Sequence, residues 1–275
     1  MALSSRCIVT PQHRVCTRSR TRTLVKLQAT PTSNAGPVKV VSDPFAEKKV
    51  YKDNMFDKLM IKIYTEKMAA KLNGVYVPPV PTYDDFVRVS KEIMRGRSPT
   101  DQKRVVLDVL DSLLPPGAPE QFRKLFPPTQ TSAELNAGFA TAGFGWLVGE
   151  MELQKGDIVV GPNGEKRQQR SIVKIKKCRY LEASGCVGMC VNMCKIPTQS
   201  FFTEEFGLPL TMKPNFEDLS CEMIFGQAPL PVEKDEAFSQ PCFKLQCNVS
   251  SEDVSKPCPK LSPPAPSAVF QGRSA

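Results

Sequence analysis

The chain has one histidine in 275 residues, His13, and none after it. Beyond that position, Ser-His-Asp and Cys-His catalysis are excluded. So are histidine-ligated haem and zinc or non-haem iron held by imidazole. Acidic residues are absent before Asp43, and cysteines are absent between positions 43 and 177. No apolar run approaches the roughly 18–20 residues needed to cross a bilayer. The longest, "AGFATAGFGWLVG" at 137–149, carries four glycines and reads as a buried helix.

What the first 42 residues do contain is base: Arg6, Arg14, Arg18, Arg20, Arg22, Lys26 and Lys39. These seven account for most of the formal net charge of +9, and without them 30 basic residues face 28 acidic ones. The segment is rich in Ser, Thr and Arg and lacks the continuous apolar centre of a secretory signal. It is expected to be an organellar transit peptide over 1–42, with a disordered basic arm as the bland alternative. The near-neutral remainder offers no basic face for phosphates, so no nucleic-acid partner is expected. Hydrophobic residues make up 41% of the chain before its 16 glycines are counted, an ordinary globular share. A chain of this length can bury a core without covalent staples.

Cys7 and Cys16 fall in the basic segment, leaving Cys178, Cys186, Cys190, Cys194, Cys221, Cys242, Cys247 and Cys258. A secreted disulfide framework is usually smaller and denser, and an organellar interior keeps most thiols reduced. Free or metal-bound cysteines are therefore the better reading.

Helical spacing runs from Asp53, as cap, to Leu72, with Gly74 past the end. Thr82 can cap a second helix through Met94, and Ser98-Pro99 opens a third that Pro115-Pro116 stops. Thr131 with Glu134 has the capping-box spacing. After Gly149 two strands flank Asn163-Gly164. A short helix at "PTQSFFTEEFG" and short strands at "LPLTMKPNF" and "LSCEMIFG" follow. The class is α+β: a helical part over 43–149, a cysteine-rich α+β part over 150–255, and a disordered Pro/Ser-rich tail over 256–275.

The stretch "CVGMCVNMC" places Cys186, Cys190 and Cys194 at four-residue intervals. On an unbroken α-helix all three face one way, about 6 Å apart per step and about 12 Å end to end. Two sulfurs on one metal lie within roughly 4.6 Å of each other, twice a typical bond. One ion cannot take all three unless the segment bends near Gly185 or Gly188. Pairs could bind metal or form strained disulfides, or the stripe could simply pack. C-x3-C-x3-C matches neither the zinc-ribbon nor the bacterial ferredoxin spacing. Cys178, Cys221 and Cys242 nearby favour a functional sulfur cluster, since a core has no reason to concentrate sulfur in one third of a chain.

Other motifs carry less. "GFATAGFGW" spaces glycines like a phosphate loop but has Phe144 where lysine is required. Asn248 heads a glycosylation sequon without meaning in an organelle that lacks the glycosylation machinery. Glu182 and Asp218 are candidate metal ligands or proton donors. Trp146, Phe144, Phe201, Phe202, Phe216 and Phe225 are core residues on the simplest reading, and could also line a pocket for a long hydrophobic substrate.

The stretch 177–243, from "KCRYLEASGCVGMCVNMCKIPTQSFF" through "PNFEDLSCEMIFG" to "PCF", closely resembles the plastid β-carotene isomerases of strigolactone biosynthesis, the Dwarf twenty-seven type. "YKDNMFDKL" at 51–59 and "FGWLVGE" at 144–150 are similar too, so the resemblance spans roughly residues 50–247. It implies an iron-dependent chloroplast isomerase interconverting all-trans- and 9-cis-β-carotene; beside that apolar substrate, a thylakoid or envelope membrane surface is a candidate transient partner. Cys178, Cys186, Cys190, Cys194, Cys221 and Cys242 match family cysteines, and Glu182 and Asp218 stand in their motifs. Cys247 lies five residues after Cys242, whereas family members place that cysteine four residues on.

The chemistry is consistent. β-Carotene has no ionisable group, and rotating a C=C bond requires temporary loss of its π order. Electron transfer, thiyl addition or protonation would each achieve this. The expected centre is iron on some of Cys178, Cys186, Cys190, Cys194, Cys221 and Cys242, with Cys190, Cys194, Glu182 and Asp218 as catalytic candidates. The rivals are a cysteine-rich electron carrier without isomerase activity and a zinc-stabilised nucleic-acid module.

Overall fold

Each early helix begins where a short polar side chain can satisfy free backbone N–H groups. In this computed structural model, which describes residues 43–161, 164–243, 246 and 256–261, α1 spans Met55–Ala69 and is capped by Asn54. Asn54 accepts from the Asp57 N–H and Asp57 accepts in return, a closed capping box. Asp53, the cap expected from sequence, is instead released to pair with Arg179. Thr82 caps α2 (Tyr83–Met94) and Ser98 caps α3 (Pro99–Ser112), as the spacing predicts. A short α4 (Ala118–Leu125) stands between proline pairs and was not legible in the pattern. α5 (Gln130–Gly143) starts at Thr129 rather than Thr131. The expected buried helix over 137–149 is broken at Phe144, and α6 (Gly145–Val148) finishes it.

The strands are β1 (Met151–Val160), β2 (Glu165–Ile175), β3 (Leu210–Pro214) and β4 (Cys221–Phe225). They form one antiparallel sheet in the order β1-β2-β4-β3, which makes the fold α+β as expected. α5 packs across β2, β4 and β1. On β2, Gln169, Ser171, Val173 and Ile175 face inward at the two-residue period. The two polar ones are satisfied at the Phe225 carbonyl, which accepts from Gln169 at 3.1 Å and Ser171 at 2.8 Å.

α7 (Arg179–Ser184) follows β2 and ends at Gly185, whose φ of 57° is left-handed. Beyond it the chain forms a π-helical stretch (Met189–Lys195), α8 (Ile196–Ser200) and a second π-helical stretch (Phe201–Glu205). One buried apolar cluster joins Ile61, Phe86 and Ile93 of the early helices to Leu181, Met189 and Phe225 of the later part. The tie is reinforced by Arg179, which holds both Asp53 oxygens and lies 3.8 Å from the Tyr83 ring centre and 4.5 Å from that of Tyr51.

The expected transit peptide, Asn163, Cys247, Asn248 and positions 262–275 lie outside the described residues. Within the segment whose composition marks a tail, residues 256–261 pack onto the fold. Cys258 and Leu261 are buried, and the Lys260 carbonyl accepts from Asn192 at 2.9 Å.

Candidate active site

Three local structures bring the sulfurs together. Cys178 caps α7, its sulfur accepting from the Leu181 N–H, while its own N–H donates to the Leu219 carbonyl at 2.7 Å. Leu219 is fully buried with φ 61°, the one positive φ outside glycine among the described residues. Such strain persists only where surroundings enforce it. Here the turn between β3 and β4 does so: Asp218 accepts from the Ser220 N–H, and the Asn215 N–H donates to the Ser220 carbonyl, both at 2.8 Å. The turn delivers Ser220 and then Cys221, which pairs with Ile175 across β2 and β4. The first π-helical stretch supplies Cys190 and Cys194. Its i→i+5 hydrogen bonding widens the coil, a distortion that recurs at functional sites.

Cys178, Cys190, Cys194, Cys221, Ser220 and Lys195 surround a cavity of about 10 Å³, with Val148, Leu181 and Met212 among its apolar walls. That is about the space one water occupies. Burial pushes the Cys178 thiol up to about 11 and Cys194 to about 12. It drives Cys190 and Cys221 well above the ordinary thiol value, with neighbouring sulfurs adding to the effect. All four are therefore neutral thiols at physiological pH, and Cys178, Cys190, Cys194, Cys221 and Cys258 are not in disulfides. Cys186 lies just before the helical stretch that carries Cys190 and Cys194, and its carbonyl accepts from the Cys190 N–H at 3.2 Å. Cys186 and Cys242 do not line the cavity.

Sequence reasoning missed Lys195 and Ser220. The Lys195 side chain is 4% exposed and Asp235 Oδ2 lies 2.7 Å from its ammonium. That ammonium also donates to the Met212 carbonyl and to Gln199. The Ser220 hydroxyl is buried and has no hydrogen-bond partner among the described residues. Both residues stood inside quoted motifs, "CKIP" and "LSC". Nothing local separates a buried lysine or serine from a solvated one.

The remaining candidates are dispersed. Glu182 is buried but ion-paired to Lys177 at 2.7 Å and accepts from the Lys49 N–H, one turn from Cys178 and outside the cavity lining. Asp218 is exposed and serves the turn. Phe201, Phe202 and Phe225 pack together with Phe206. Trp146 packs on Tyr64 and Phe86, Phe216 on Phe243, and Phe144 is exposed. None of these six aromatics lines the cavity. The thiols are apt soft donors for iron. Yet no three His, Cys, Asp or Glu side chains among the described residues are arranged to hold a metal ion. As arranged, the residues do not fit an iron site.

Fold and site define a histidine-poor α+β protein built around a buried cluster of neutral thiols. Residues 146–234 match the family described as β-carotene isomerase D27-like, C-terminal. The chain is 41% identical over 196 residues to the chloroplastic β-carotene isomerase D27 of Medicago truncatula, covering 71% of this chain and 75% of that one. To the protein of the same name from Arabidopsis thaliana it is 40% identical over 194 residues, covering 70% and 71%. The chain belongs to this family of chloroplast isomerases. No solved structure matches it.

Proposed function

We propose that the protein is a plastid carotenoid isomerase that interconverts all-trans- and 9-cis-β-carotene, the step that opens strigolactone synthesis. The observation that carries this reading, beside family membership, is that four buried or half-buried cysteines line one small apolar cavity. A hydrocarbon has no heteroatom for an acid–base pair to act on, whereas a sulfur-centred radical attacks a C=C bond directly.

The reacting groups are Cys190 and Cys194. One-electron oxidation with loss of its proton converts a thiol to a thiyl radical, the electron going to an external one-electron acceptor. The thiyl adds to one alkene carbon and leaves the unpaired electron on the neighbouring carbon, delocalised along the polyene. The former double bond is now single and rotates. Cleavage of the C–S bond restores the alkene in its new geometry and returns the thiyl. Cys178, Cys221, Ser220 and Lys195, the last paired with Asp235 behind it, complete the polar part of the wall.

The cavity is far too small for a polyene, so entry requires its walls to part. The larger cleft beside it, about 400 Å³, shares Pro214 but is lined by Lys174, Lys213, Glu217, Glu222 and Glu236, a poor surface for hydrocarbon. Iron is the cofactor the family resemblance suggests, on some of Cys178, Cys186, Cys190, Cys194, Cys221 and Cys242, of which Cys178, Cys190, Cys194 and Cys221 line the cavity. It would supply one-electron chemistry when bound. Forming an iron centre requires these thiols to leave their present arrangement and to lose the protons that burial holds.

The test is incubation of the purified full chain with each β-carotene isomer separately, with chromatographic resolution of products and metal analysis of the same sample. Both isomers should approach one mixture, and Cys190→Ser or Cys194→Ser should slow the approach by about a hundredfold or more. Normal turnover in both variants defeats the thiol assignment. An unchanged isomer ratio with a reversible redox couple identifies an electron carrier instead.

A further inference from the structure

The first helix carries an apolar ridge pointed at solvent. Met55, Phe56 and Leu59 are 82%, 50% and 53% exposed, and their three- and four-residue spacing makes them neighbours on one surface of α1. The same helix buries Ile61, Thr65 and Met68 on its opposite side. With about 100° per residue and Ile61 as zero, Met55, Leu59 and Phe56 fall near 120°, 160° and 220°. Ile63, half-buried, falls near 200°.

Lysines border this arc. Lys58 and Lys62 fall near 60° and 100°, Lys67 near 240°, and Lys52 precedes the helix. Glu66 lies in the arc but at the far end of the helix, 3.8 Å from Lys62. An apolar ridge flanked by lysines is what a helix lying in the plane of an anionic membrane surface presents. No helix among the described residues is long and apolar enough to cross a membrane, so contact would be superficial. Val50, 84% exposed, extends the apolar surface just before the helix.

We infer that α1 is the docking surface through which the protein settles on an anionic bilayer. The inference rests on the proposed function, because a hydrocarbon substrate dissolves in the bilayer and must be collected there. The occupant is the lipid surface. Lysines complement acidic headgroups, while Met55, Phe56 and Leu59 enter the boundary below them.

The experiment is flotation of the full chain with vesicles of neutral galactolipid containing about one-fifth phosphatidylglycerol. Residues 1–42 are common to every variant, so their basic charge cancels in the comparison. Phe56→Glu with Leu59→Glu should lower vesicle partition by roughly tenfold or more. Lys58→Glu with Lys62→Glu should lower it and flatten its salt dependence. Both pairs should retain wild-type melting and wild-type turnover of detergent-dispersed β-carotene. Unchanged flotation in the apolar variant overturns the inference. So does a change in its sedimentation mass, which would mean that a second copy covers the ridge. Failure of turnover in detergent by the wild type, with flotation intact, would instead sink the functional reading and leave the docking surface standing.

Discussion

Lys195 Nζ and Asp235 Oδ2 lie 2.7 Å apart with side-chain exposures of 4% and 9%, a nearly dry ion pair whose lysine lines the thiol cavity. The carboxylate comes from 40 residues further along the chain, between two short three-ten turns, Val232–Lys234 and Glu236–Ser239. Removing one member of such a pair leaves the other charge buried without compensation. Asp235→Asn should therefore destabilise the fold by about 3 kcal/mol, measured by urea unfolding. Replacing both, with Lys195→Met and Asp235→Leu, should recover most of that loss. A single variant as stable as the wild type would show that water reaches the pair.

Arg179 poses a different problem for substitution. Its guanidinium holds Asp53 through two nitrogens, donates to the Trp146 carbonyl at 3.1 Å and lies over two tyrosine rings. A lysine keeps the charge and loses both the fork and the flat face. Arg179→Lys should cost about 2 kcal/mol in unfolding free energy. It should also raise protease sensitivity near Asp53, because this residue anchors the segment leading into α1. An unchanged unfolding midpoint would mean the hydrophobic cluster alone fixes that segment.

The helix starts at Thr82 and Ser98 were legible because capping is local chemistry. The strand order was not, since β4 pairs with β2 across some 50 intervening residues. The sulfur cluster was half legible. Four of six expected cysteines line the cavity, while Cys186 and Cys242 do not. The π-helical widening at Met189–Lys195 leaves no mark in the pattern, because its residues keep ordinary helical spacing. Asp218 is placed in the turn between β3 and β4. Its carboxylate closes a turn, a role its neighbours in the chain did not reveal.

Ser220 offers a test that separates structure from chemistry. Its hydroxyl is buried without a partner among the described residues, so it gains nothing in the resting protein. Ser220→Ala should leave stability unchanged or raise it by about 0.5–1 kcal/mol. Turnover should fall if the hydroxyl orders a water or a thiol during reaction. If both stability and turnover match the wild type, the hydroxyl has no part in the site. Loss of stability would show that it is satisfied in solution.

The protonation state of the thiols gives the sharpest division between the resting cluster and a metal-loaded one. Burial raises Cys178 to about 11 and Cys194 to about 12 from 9.0. Between pH 9 and those values the unfolded chain has lost protons that the folded chain keeps. The unfolded state then binds fewer protons, so stability falls as pH rises through that window and is fully present below it. Tyr83 and Tyr180, raised by burial, act in the same direction at still higher pH. A metal–thiolate centre has the opposite sign, because the folded state then holds deprotonated sulfur and loses it on acidification. Unfolding midpoints of the metal-free full chain should therefore be flat from pH 6 to 8 and decline above about 9. Loss of stability below about pH 6 instead, after anaerobic exposure to ferrous iron, would show that the thiols rearrange into a metal–thiolate centre. A metal-free chain that is equally stable at pH 8 and 10.5 would show that these sulfurs are not held as thiols.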